Sequence, residues 1–215
     1  MEPREKDKMK YTIIVILMLI TKIVNAEVVL GWETKNPNNK GWTKITVAAV
    51  EKHFQKLNLA EDTELFCPDY TFLQEETKKQ FWAEFISAMA FYESGWNPYS
   101  QLTEISLGAD SVTGKVVTSE GLLQLSYGDT KWAKWCNFNW EEDNKNNPTI
   151  TTILTPKNNL ECGIGILSNQ IKKHHKIVIE KRAYWSILKI NHRYQKIDQI
   201  RKMITNRIPQ CSKQK

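Results

Sequence analysis

The sequence predicts a mostly α-helical domain, α-dominant with room for a small β element, and three observations carry that prediction. Apolar residues recur at helical spacing in three long stretches, residues 43–59, 71–92 and 156–173. No strand–helix alternation of the kind that builds a parallel sheet runs through the chain, and no internal repeat is present. Nine Gly and seven Pro in 215 residues are too few for a many-turned sandwich. Disorder is excluded, because eight Trp, seven Tyr and seven Phe among mixed charges can bury a sizeable core. The length sets a prior of one domain.

The first 26 residues stand apart. Tyr11 to Ile20 is dominated by aliphatic side chains, with Lys8 and Lys10 before it and Val24-Asn25-Ala26 after it. That order is a charged region, a short apolar core and a small-residue cleavage site, so residues 1–26 are read as a signal peptide. A membrane-spanning helix needs about 20 apolar residues, and Lys22 interrupts this run too early for a stable anchor. Met9 makes an equally good start. The expectation is a protein secreted or periplasmic after cleavage.

Residues 27–42, polar and rich in Asn, are expected to be a loosely held lead-in. The domain proper is taken as residues 43–215. Residues 43–59 carry Ile45, Ala48, Ala49 and Phe54 at helical spacing, with Thr43 as the expected N-cap. Residues 71–92 are the strongest helix, ended by Asn97-Pro98 because a residue before Pro leaves the helical region. Residues 108–118 read as an irregular loop or small β-hairpin. Residues 119–133 are expected to start a helix at Ser119, and the acidic, Asn-rich 137–156 to form a loop. Helical spacing resumes with Leu160, Ile164, Leu167 and Ile171, and residues 183–190 and 195–208 complete the chain as helices.

Thirty Lys and Arg against 24 Asp and Glu give a formal charge of +6. The excess is mild and lacks a polybasic block, so nucleic acid is not the expected partner, whereas an extended anionic polymer fits. Cys67, Cys136, Cys162 and Cys211 form no CxxC, and an exported chain should oxidise them into two disulfides. Three pairings are open; Cys136–Cys162 with Cys67–Cys211 is the simplest. His53, His174, His175 and His192 offer no metal-binding spacing, so neither metal nor cofactor is expected. Residues 141–147 lack the EF-hand pattern. The basic run from Lys172 to Lys176 reads as a solvated helix end. The protein is expected to be a monomer.

Glu93 is the informative residue. With Trp82 at zero on a helical wheel, Ile86 falls near 40°, Met89 near 340°, Phe85 near 300° and Glu93 near 20°, at about 100° per residue. A carboxyl therefore lies on the apolar face near a helix end. A charge there costs several kcal/mol unless it is paired or its pKa rises. A structural reading pairs Glu93 with Lys or Arg. A functional reading keeps it protonated near neutral pH as a general acid, as glycoside hydrolysis demands.

Three blocks in order bear on that choice. Glu93-Ser94-Gly95-Trp96-Asn97-Pro98, then Ser119-Glu120-Gly121-Leu122-Leu123-Gln124, then Pro156-Lys157-Asn158-Asn159-Leu160-Glu161-Cys162-Gly163 resemble the lytic transglycosylase SLT family and its goose-type lysozyme relatives. The family shows Glu-Ser-x-x-Asn-Pro, Gly-Leu-Met-Gln and Pro-x-x-Asn-(Ile/Leu)-x-x-Gly. Here Leu123 replaces the Met, residues 108–118 look inserted, and Ala183-Tyr184-Trp185 meets a late Ala-Tyr-Asn-x-Gly motif only in part. The resemblance implies a lysozyme-like fold with a substrate cleft. It implies cleavage of the β-1,4 bond between N-acetylmuramic acid and N-acetylglucosamine in peptidoglycan glycan strands, with Glu93 as the acid. It assigns Ser94, Asn97, Ser119, Gln124 and Tyr184 to shaping the cleft or holding substrate.

A hydrolase commonly needs a second carboxylate, whereas a lytic transglycosylase works with one Glu and an internal hydroxyl. Glu104, Glu120 and Asp110 are the candidates for that second group. Trp132, Trp135 and Trp140 are candidates for stacking on sugar rings or for core packing. The alternative of a different class is a non-catalytic wall-binding or adhesion protein that keeps the cleft. A disulfide-stabilised inhibitor or toxin would leave the three blocks unexplained.

Overall fold

Ten consecutive residues, Phe81 to Ala90, are buried in helix α3 (Glu75–Ser94; α1 and α2 are given below), and a helix buried all round is the centre of a domain. The computed structural model describes residues 28–181 and 183–212, and the signal-peptide reading of residues 1–26 lies outside them. The described chain is mostly helical with one small two-stranded antiparallel sheet. Helix α1 spans Gly31–Lys35 and α2 Lys40–Leu57; after α3 come α4 (Trp140–Asn146), α5 (Pro156–His174) and α6 (Ile197–Arg207). Helix α2 packs against both α5 and α3, and α6 closes the other side of α3. Edge-on contacts among Phe66, Tyr70, Phe81, Trp82 and Phe85 fill one end of this core. Among the described residues no helix is long and apolar enough to cross a membrane.

The stop of α3 comes sooner than Asn97-Pro98. Gly95 adopts a left-handed conformation (φ 62°), and its N–H donates to the carbonyls of Ala90 and Phe91. Glycine takes that conformation without a Cβ clash, so it closes the helix before proline is reached. Glu93 is thereby placed in the last turn.

The lead-in is not loose. Leu30 and Trp32 are buried, the Gly31 N–H donates to Glu84 Oε2 (3.1 Å), and the Trp32 indole donates to Thr43 Oγ1 (3.0 Å). Thr43 thus serves Trp32 from inside α2 instead of capping it, and the helix begins at Lys40. Arg207 on α6 meets Glu84 at 2.9 Å and donates to the Val29 carbonyl (2.7 Å), so both ends of the described chain converge on one buried carboxyl of α3.

Three other segments differ from the sequence reading. Residues 119–133 form a strand, a tight turn and a short 3₁₀ helix (Tyr127–Lys131), not an α-helix. Residues 137–156 contain α4, whose cap is Asn139 accepting from the Glu142 N–H (3.1 Å). Residues 183–190 hold only a 3₁₀ turn, Ser186–Leu188.

Strand β1 (Gln101–Thr103) pairs with β2 (Thr118–Glu120), matching Gln101 with Glu120, Leu102 with Ser119 and Thr103 with Thr118. Paired residues share a face, so the hairpin offers Leu102 and Ser119 on one side and Gln101, Thr103, Thr118 and Glu120 on the other. Disulfides join Cys67 to Cys211 and Cys136 to Cys162.

Candidate active site

The turn facing the end of α3 is built by one side chain. Asn159, fully buried on α5, accepts from the Leu123 N–H (2.8 Å) and donates to the carbonyls of Glu120 (2.9 Å) and Ile153 (3.1 Å). Those bonds fold Gly121-Leu122-Leu123-Gln124 into a turn in which Gly121 (φ 78°) and Gln124 (φ 49°) are left-handed. A Cβ at Gly121 would stand 2.3 Å from Asn159 Nδ2, so only glycine fits. The helical spacing of the apolar residues after Ser119 is overridden by this buried amide.

Ser94 docks α3 on that turn. Its hydroxyl lies 2.9 Å from the Ala90 carbonyl and 3.0 Å from the Leu122 carbonyl. Gln124 is committed to the turn as well, its amide nitrogen donating to Gly121 O (2.9 Å) and Ser100 O (3.3 Å). Asn97 is exposed and accepts from the Tyr99 N–H (3.0 Å), which shapes the bend after the helix. Ser94, Asn97 and Gln124 each bond backbone groups at or beside the turn.

Glu93 itself makes no hydrogen bond and no ion pair among the described residues. Burial, and then the negative charge of Glu104, push its carboxyl up to about 8. Glu104 follows β1 on the Leu102–Ser119 side of the hairpin, and the Ser119 hydroxyl donates to its Oε1 (2.8 Å). The hairpin thus brings Glu104 and Ser119 to Glu93.

Glu120 and Asp110 point elsewhere. They line a cavity of about 300 Å³ on the opposite face of the hairpin, with Tyr127, Trp140 and Lys115. Burial raises Glu120, and a hydrogen bond from Gln101 (2.6 Å) opposes that shift. Asp110 accepts from the backbone N–H groups of Val112, Thr113 and Gly128. Glu120 is not placed to act with Glu93, because alternate residues of a strand face opposite sides.

Tyr184 lies within electrostatic reach of Glu93. Its hydroxyl donates to Asp129 Oδ2 (2.5 Å), and burial raises its pKa, with the charges of Asp129 and Glu93 adding to the rise. Next to it, the Trp185 indole donates to the Leu123 carbonyl (2.8 Å). Asp129 was not singled out from the sequence, although Ser126-Tyr127-Gly128-Asp129 has the spacing of a capping box, and Ser126 and Asp129 form one. Burial raises Asp129, while the bonds from Tyr184 and Ser126 hold it down. Of the tryptophans, Trp135 packs under Gly165 and donates to the Cys162 carbonyl, Trp140 packs edge-on to Tyr127, and Trp132 stays half exposed. Among the described residues no group of three or more His, Cys, Asp or Glu is placed to hold a metal ion.

The site therefore holds a carboxyl whose pKa is raised to about 8, with a second carboxyl, Glu104, oriented by a serine hydroxyl and near enough for its charge to add to that rise. No protein-family profile and no curated protein matches the chain. Solved structures do. The chain is similar to Bd0314 DslA in its wild-type form 2, at 28% identity and a TM-score of 0.69, over 87% of this chain and all of that one. Two variants of the same protein, each with one glutamate replaced by glutamine at positions eleven residues apart, match at 27% and 28% identity with TM-scores of 0.70 and 0.69.

Proposed function

We propose that this protein is a secreted peptidoglycan glycosidase that cuts the β-1,4 bond between N-acetylmuramic acid and N-acetylglucosamine, with Glu93 as general acid. The observation that carries the reading is the state of Glu93. A carboxyl with no hydrogen-bond or ion-pair partner among the described residues, its pKa raised to about 8, stands in the last turn of the central helix within reach of the charge of Glu104. In the reaction Glu93 gives its proton to the bridging oxygen as the bond to the anomeric carbon breaks, and the departing sugar leaves as a neutral alcohol. Positive charge develops on the ring, and the Glu104 carboxylate, oriented by Ser119, stabilises it or directs the incoming water. The proton of that water passes to a carboxylate, and Glu93 regains its own from solvent.

The similar structures add support. The two glutamates exchanged for glutamine in Bd0314 DslA are eleven residues apart, the interval that separates Glu93 from Glu104. A paired carboxylate favours hydrolysis over the one-glutamate route in which an internal hydroxyl attacks.

The test is digestion of purified peptidoglycan followed by mass spectrometry of the muropeptides. New reducing ends in wild-type digests, absent with Glu93→Gln, support the hydrolase. A 1,6-anhydro end identifies the transglycosylase chemistry on the same acid. Binding to the wall without new ends favours the non-catalytic wall-binding reading and removes the enzymatic one.

A further inference from the structure

Eight tryptophans serve this chain, and Trp32, Trp82 and Trp185 are fully or almost fully buried. Trp132 is 52% exposed. Its indole packs at 6.3 Å from the Tyr184 ring, inclined by 50°, and edge-on to Trp135 at 6.2 Å. A large apolar ring left half in water forgoes much of its transfer free energy, and here the ring is nonetheless held in place.

The Trp132 ring rests on Tyr184 and Trp135, and buried Asp129 links the Trp132 main chain to the Tyr184 hydroxyl. The Asp129 backbone carbonyl accepts from the Trp132 N–H (3.2 Å) and the Ala133 N–H (2.8 Å). Its side-chain Oδ2 accepts from the Tyr184 hydroxyl (2.5 Å) and the Ser126 N–H (2.9 Å). The pair is tied to the proton donor through backbone contacts: Trp185, next to Tyr184, bonds the Leu123 carbonyl, and Ser94, next to Glu93, bonds the Leu122 carbonyl. The aromatic corner and the acid therefore rest on the same four-residue turn.

We propose that Trp132, packed against Tyr184, is the platform of a sugar subsite adjoining Glu93, and that its ligand is one pyranose ring of a β-1,4-linked glycan. A β-linked hexopyranose carries its axial C–H groups on the ring faces and its hydroxyls around the rim. Those C–H groups match the electron-rich face of an indole, while the rim stays hydrogen-bonded to water or protein. The Tyr184 hydroxyl is already engaged by Asp129, so this wall of the site recognises a ring by its apolar face. The inference rests on the glycosidase reading and adds to it a residue whose task is binding.

Soluble peptidoglycan fragments of defined length, with wild type, Trp132→Ala and Trp132→Phe, test it. Loss of the platform should raise KM about tenfold for Trp132→Ala while kcat stays within about twofold, since a stacked aromatic contributes on that order. Trp132→Phe, which keeps a ring, should recover most of the loss. Melting temperatures report whether each variant is folded, and Trp132→Leu, which removes the aromatic face but keeps an apolar side chain, carries the comparison if Trp132→Ala is not folded. Unchanged KM in folded Trp132→Ala, with cleavage intact, overturns the platform and leaves the glycosidase reading standing. Wild-type protein that cleaves no fragment overturns that reading and the platform with it. A wild-type dimer that Trp132→Ala dissociates, with KM unaltered, assigns the exposed ring to a self-interface and also overturns the platform.

Discussion

Burial first, and then the charge of Glu104, raises the pKa of Glu93. The two belong to separate elements, one following β1 and one ending α3, and the hairpin brings them together. Like charge beside a desolvated carboxyl disfavours its ionisation, so Glu104 favours the protonated form of Glu93.

The first prediction follows from that pairing. Activity should fall as pH rises through about 8, where Glu93 loses its proton. In Glu104→Gln the repulsion is gone, so the alkaline limb of kcat/KM should move to lower pH, whatever happens to the maximum rate. A limb that stays in place would show that burial alone sets the acid's pKa.

Replacing the acid should separate catalysis from folding. Glu93→Gln should lower glycan cleavage by about 10²–10⁴-fold while wall binding persists. Between the ordinary carboxyl value of 4.5 and about 8, folded Glu93 binds more proton than the unfolded chain. Its stabilising contribution is therefore fully present below 4.5 and is lost as pH rises through that window. Melting temperatures at pH 5 and pH 8 should differ less in Glu93→Gln than in wild type. Glu84, which burial raises to about 7 against the opposing charge of Arg207, retains a slope of the same sign.

Asn159→Ala should cost about 2–4 kcal/mol in urea unfolding. It would orphan the buried Leu123 N–H and the carbonyls of Glu120 and Ile153 at one stroke. The turn beneath Glu93 would loosen too, so kcat should fall in protein that is still folded. An unchanged kcat in folded Asn159→Ala would mean that the turn keeps its shape without the amide.

Reduction should destabilise the fold unequally across the two bridges. Cys67–Cys211 spans 144 residues and Cys136–Cys162 spans 26, so chain entropy assigns about 5 and about 3.5 kcal/mol respectively. Replacing Cys67 and Cys211 by Ser should lower the melting temperature more than replacing Cys136 and Cys162. The reverse order would show that strain or residual structure outweighs loop length here.

The long helices were legible because Phe81, Trp82, Phe85 and Met89 repeat at helical spacing whatever surrounds them. Glu93 was legible for the same reason, as a charged side chain on that spacing. The segment after Ser119 was not, because a distant buried amide, Asn159, decides its conformation. Nor was the docking of Gly31 and Trp32, since polar neighbours hide two anchors whose partners, Glu84 and Thr43, only the folded chain brings to them. Choosing Glu104 over Glu120 needed the register of the hairpin, for a shift of one residue exchanges the two faces.

The meeting of both ends at Glu84 has a practical corollary for rearranging the polypeptide. Arg207 touches Val29 and Thr34 directly, so a short Gly/Ser tether could join the two ends of the described chain without disturbing the core. New ends fit best in the exposed stretch around Asn146 and Asn147, where α4 ends. A circular permutant of that design would keep the Glu84 knot intact while turning its two strands into one continuous segment, making the lead-in inseparable from α6.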